Sequence, residues 1–135
     1  EVNAMFHSRG IILEDLVVCH DFGDASVDGR GFALAGGVAA AVENVIHRLD
    51  PDRVVKMEKA ENLANCRTMV LMAKAGKRDG YLLEGMACPG GCVGGAGTIV
   101  HQNKSAKHVQ NYSRNSEKSS ALKTVESFDI SLTKL

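Results

Sequence analysis

The chain has 135 residues, with 16 Lys and Arg against 16 Asp and Glu. That balance removes any electrostatic case for nucleic acid or an anionic membrane surface as partner, and no apolar run is long enough to span a bilayer. The length suits a single domain over 1–135 with a real core, about 65–70% of the unfolded surface being removed on folding, and four cysteines without a secretory signal fit a reducing, cytoplasmic setting.

In chain order, residues 4–9 should close a helix ended by Gly10, and 16–20 read as a short strand. Gly and Asp across 21–30 are turn chemistry and predict a loop. Val38, Val42, Val45, Ile46 and Leu49 repeat at helical spacing, so a helix starts at Gly36-Gly37 and runs to about Leu49, with Pro51 preventing its continuation. A strand over 53–57, a helix over 61–75 closed by Gly76, and a strand over 80–86 make a strand–helix–strand unit. Its two strands should be parallel with a right-handed crossover. From Asn103 the composition shifts to Lys, Ser and Asn. Ala106, Val109 and Tyr112 form one helical stripe and Ala121, Leu122, Val125 and Phe128 another, with a break at Asn115-Ser116. No element is assigned to 128–135. The expected fold is α/β: a lobe over 1–102 with a small, mainly parallel sheet flanked by helices, and a helical segment over 103–135 packed on it.

Residues 84–98 read EGMACPGGCVGGAGT, which holds two thiols, one thioether and six glycines but no basic residue. Cys88 and Cys92 are separated by Pro89-Gly90-Gly91, a spacer that resists helix and lets the backbone fold closely round a bulky cluster. The glycines should also leave amide N–H groups free to point at sulfide. A pair of cysteines can equally be half a zinc site, a redox disulfide or two small hydrophobes. The long glycine tract and the three-residue spacer favour an iron–sulfur site over these. A nucleotide-binding glycine loop fails on spacing, since Gly95 and Gly97 are followed by Val100 where a third glycine is needed. Both cysteines lie just beyond the carboxyl end of an expected strand, the edge at which sites collect in open α/β sheets. Cys66 lies on a helical stripe with Leu63, Val70 and Ala73 and reads as a buried small hydrophobe. Cys19 ends an apolar run beside His20, and His7, His47, His101 and His108 are scattered, so none of these is assigned to metal. For Gly36 and Gly37, a site function and simple tight helix–sheet packing stand side by side.

The run from Met86 to Gly95 resembles the third cluster-binding motif of iron-only (FeFe) hydrogenases. Gly31-Phe32-Ala33-Leu34-Ala35-Gly36-Gly37-Val38 resembles that family's Phe-rich turn before a helix near the active site, and Glu61-Asn62-Leu63-Ala64-Asn65 resembles a later helix start. The resemblance implies a four-iron cubane joined through a cysteine sulfur to a two-iron subcluster, together the H-cluster, with reversible proton reduction and dihydrogen oxidation as the activity. It implies that Cys88 and Cys92 are two of four cubane ligands, that Cys92 bridges to the two-iron unit, and that Met86, Phe32 and Val38 line the pocket. Met86 suits that place because a thioether is soft, apolar and not a proton donor.

The family's two earlier cysteine motifs and its proton relay are absent, and the chain begins at Glu1. The expectation is therefore the carboxyl-terminal lobe of a longer protein, inactive and without its cluster when alone. Implied partners are the amino-terminal lobe, a ferredoxin-type electron carrier, protons and dihydrogen, with an exposed lobe face on which two copies could pair. Ala33, Ala96 and Thr98-Ile99 depart from the family's usual residues. These departures keep open a hydrogen- or redox-sensing relative, or an iron–sulfur protein lacking the two-iron unit.

Overall fold

The computed structural model describes residues 1–17 and 25–128. Helix α1, Val2–Ser8, is followed by Gly10 at φ 65°, the left-handed conformation that ends a helix most cheaply in glycine. Of the strand expected over 16–20, Leu16 and Val17 are not in a strand, and 18–20 lie outside the described residues with Cys19. The loop expected over 21–30 ends instead in a short helix, α2, Val27–Arg30, because the Ser26 side chain accepts the Gly29 N–H and caps it.

Helix α3 spans Gly37–Leu49, as its period predicts. The expected stripe is only partly covered, with Val45 and Ile46 half-buried. Ala39 and Ala41 are buried, whereas Val38, Val42 and Leu49 stay exposed, because only a methyl-sized side chain fits where the helix approaches its neighbours. Strand β1 is Lys56–Glu61, later than the Val54-Val55 pair suggests, and β2 is Tyr81–Met86. The two pair in parallel from Lys56 opposite Tyr81 to Glu61 opposite Met86, with α4, Leu63–Lys74, between them in sequence. KMEKAE has weak intrinsic strand preference, so pairing with β2 rather than composition defines β1. Glu58 of β1 forms an ion pair with Arg78 in the turn before β2, and this hydrogen bond holds the guanidinium above its ordinary pKa. In α4 the buried residue is Met69 at 5% exposure, while Leu63 of the expected stripe is 73% exposed. The stripe is therefore split, with Leu63 and Val70 exposed and Cys66 and Ala73 half-buried, and the Met69 thioether fills the gap against the sheet.

Helices α5, Gln102–Arg114, and α6, Ala121–Ser127, form the C-terminal segment. They are fastened to α2 by polar contacts. Ser113 Oγ donates to the Val27 carbonyl at 2.7 Å, Ser116 Oγ to the Ala25 carbonyl at 2.6 Å, and the Val27 N–H to the Lys118 carbonyl at 2.8 Å. Asp28, buried, accepts from the Ala121 N–H at 2.9 Å and from Asn44 Nδ2 of α3 at 3.0 Å. The Arg30 guanidinium lies 4.1 Å from the centre of the Tyr112 ring.

Among the described residues the buried apolar set is Ala39, Ala41, Ala60, Met69 and Val93, and no large side chain is completely enclosed. This core is much thinner than the chain length allows. No helix among the described residues is long and apolar enough to cross a membrane.

Candidate functional site

The cysteine loop leaves β2 after Met86 and is shaped by its glycines. Gly90 and Gly91 take φ values of 81° and 89°, a consecutive left-handed pair that side chains disfavour. A Cβ on Gly91 would stand 2.6 Å from the Ala35 nitrogen and 2.7 Å from the Ala33 oxygen, so the loop and the turn at 31–37 touch backbone to backbone. The Ala35 N–H donates to the Gly90 carbonyl at 3.1 Å across that contact. Cys92 opens a 3-10 turn, Cys92–Gly94, whose buried Val93 roots it in the lobe. Cys88 is half-buried and Cys92 is exposed.

The loop amides are less available than the sequence suggests. The N–H of Gly91 donates to the Cys88 carbonyl, that of Gly94 to the Gly91 carbonyl and that of Gly95 to the Cys92 carbonyl, each at 3.0 Å. The Gly90 N–H donates to Glu61 Oε2 at 2.7 Å. Tight turns consume three of these donors and Glu61 the fourth, so the expectation of free amides facing sulfide is not met at these four positions.

The turn beneath carries Phe32, in the 3-10 segment Gly31–Ala33, and leads into α3 with Val38 in its first helical turn. Phe32 is 44% and Val38 36% exposed. Gly36 sits at φ 87°, and a Cβ on Gly37 would collide with the Gly31 carbonyl, so both glycines serve close packing. Neither can cap α3 with a side chain. Glu84 of β2 does so from a distance, its buried carboxylate accepting the N–H of Gly36 and that of Ala39, both at 3.1 Å. Negative charge at a helix N-terminus is favourable, and two amide donors satisfy the buried oxygens.

The fold thus joins the two stretches that sequence reasoning singled out. Cys88 and Cys92 share one loop, the turn bearing Phe32 is bonded to that loop, and Met86 is half-buried at the end of β2 just before it. Cys66 stands apart from the pair: its thiol points at the Ala60 and Met86 carbonyls, 3.5 and 3.6 Å away, under the strand ends. It is half-buried rather than buried, and acts as a weak donor as well as a filler. His7, His47, His101 and His108 are all exposed; His47 Nε2 lies 3.1 Å from the Arg53 carbonyl, and His101 Nδ1 accepts the Asn103 N–H at the start of α5. Sequence reasoning missed Glu61 and Glu84. Their signal was indirect: a helix beginning Gly-Gly has no cap of its own, and an acidic residue inside a half-buried strand must find a donor.

Among the described residues no three His, Cys, Asp or Glu side chains converge as a metal site. The chemistry of the pair still suits part of a larger donor set. Both sulfurs are soft donors on a braced loop, and Gly95 lies beside Cys88, whose Sγ is 3.8 Å from where a Gly95 Cβ would stand. No curated protein matches the chain. A family model described as "Iron only hydrogenase large subunit, C-terminal domain" matches residues 1–96, a stretch that contains Phe32, Val38, Met86, Cys88 and Cys92 and ends before α5. That match spans well over half of the 135 residues, and the chain therefore belongs to the family of C-terminal domains of iron-only hydrogenase large subunits.

Proposed function

We propose that Cys88 and Cys92 are two of the four cysteine ligands of the cubane of an H-cluster, with Cys92 as the bridge to the two-iron unit. When bound, that cluster supplies the reversible interconversion of protons and dihydrogen. The protein's part is to present two thiolates from one loop and to keep water from the reacting side. The observation that carries this reading is the bond between the cysteine loop and the Phe32 turn, from the Ala35 N–H to the Gly90 carbonyl. It joins the loop that bears both cysteines to the turn that bears the exposed Phe32 and leads to the exposed Val38. With half-buried Met86, these would form one wall of a dry pocket that holds no proton donor of its own.

An amino-terminal lobe would supply the other two thiolates and cover the exposed apolar side chains. The thin core supports that requirement, because large hydrophobic side chains left in water cost stability unless another surface covers them. In the holoprotein matured without oxygen, infrared spectra should show carbonyl and cyanide bands. Their absence after successful cubane loading would defeat the enzyme reading. Cys92→Ser should remove those bands while leaving the fold intact, and full hydrogen uptake by that variant would exclude the bridge.

A further inference from the structure

We propose that Glu61 is a positioning residue for the cysteine loop, an inference that rests on the reading of Cys88 and Cys92 as cluster ligands. Glu61 is the last residue of β1, opposite Met86 in the parallel register, so its backbone is fixed by the sheet. The next residue, Asn62, takes φ 62° and caps α4 by accepting the Asn65 N–H at 3.0 Å, which fixes the chain on the other side. From this anchored place Glu61 Oε2 accepts the Gly90 N–H at 2.7 Å, the short, charge-assisted end of the range.

Gly90 is the middle of the spacer between the two cysteines, and it has no side chain with which to be held. Only its peptide groups can fix it. The structure grips both: the N–H through Glu61 and the carbonyl through the Ala35 N–H at 3.1 Å. Holding the midpoint of a three-residue spacer restricts how far the two flanking sulfurs can spread or tilt. Glu61 thereby acts on the thiolate pair through Gly90 and touches neither sulfur.

The test compares wild type, Glu61→Ala, Glu61→Asp and Glu61→Gln. Asp keeps the charge but falls a methylene short, whereas Gln loses the charge but keeps an oxygen that can accept the same hydrogen bond. In iron-free protein, exchange of the Gly90 amide proton measured by NMR should be about tenfold faster in Glu61→Ala and Glu61→Asp, and close to wild type in Glu61→Gln. In holoprotein the midpoint potential of the cubane should move in the first two variants and return in the third. Unchanged Gly90 exchange in Glu61→Asp would overturn the inference. So would Glu61→Gln behaving like Glu61→Asp, or faster exchange with an unmoved potential. A wild-type protein that carries its amino-terminal lobe and still takes up no iron under the same maturation would instead sink the ligand reading on which the inference stands.

Discussion

At the scale of single residues, the site depends on positions where chemistry allows one choice. Gly91 combines a φ of 89° with backbone atoms at 2.6 and 2.7 Å from where a Cβ would stand. Gly91→Ala is expected to cost at least about 1–3 kcal/mol for the left-handed strain alone, read as a lower urea midpoint. An unchanged midpoint would mean that the loop does not rest on the 33–35 backbone. Glu84 is the second such position. Glu84→Ala leaves the Gly36 and Ala39 amides without their acceptor and should cost about 1–3 kcal/mol. Glu84→Gln, which keeps one accepting oxygen, should recover part of it in the same urea titration. The cysteine pair was legible because thiols and clustered glycines are rare and chemically specific. The carboxylates that brace it were not, because Glu61 and Glu84 act on amides 29 and 48 positions away in sequence, and no local pattern encodes such a distance.

Among the elements, two helices begin without a cap of their own and borrow one. Helix α3 takes Glu84 from β2, and α6 takes Asp28 from α2, since the Ser120 side chain at its own start does not cap it. Asp28→Ala should release α6 and weaken the fold by about 1.5–3 kcal/mol, as two hydrogen bonds to a buried carboxylate are lost. Hydrogen exchange over 121–127 should rise selectively, and uniform protection there would count against the anchor. Helical periods located α3, α4, α5 and α6 well. They located burial only in part: Val45, Ile46 and Cys66 are half-buried, while the fully buried positions are Ala39, Ala41 and Met69 rather than the branched residues of the stripes. The parallel pairing of β1 and β2 was readable from the strand–helix–strand order, but the start of β1 was not. Val54 and Val55 have the better strand preference, and the pairing with Tyr81 overrules it. The helix α2 was hidden in a Gly- and Asp-rich stretch whose one local signal was the cap at Ser26.

For the whole molecule, a small core of mostly alanines has a thermodynamic signature. Ordinary globular domains absorb about 0.7 kcal/mol per residue on unfolding near 60 °C. Calorimetry of this chain alone should give clearly less, because among the described residues few large side chains leave a packed interior. A value at or above that norm would argue that the exposed apolar side chains are already covered, by self-association or otherwise. The same measurement repeated with the proposed amino-terminal lobe present should move toward the norm. Asp28 finally carries a practical consequence for anyone trimming this protein. The family match stops at residue 96, yet deleting everything after it would strip this buried carboxylate of its Ala121 partner and deprive Val27 of its bonds to Ser113 and Lys118. Homology boundaries and physical boundaries therefore differ here, and an expression clone ending at the former is expected to yield protein that is cut readily by proteases between Ala25 and Gly37, the stretch that bears Phe32.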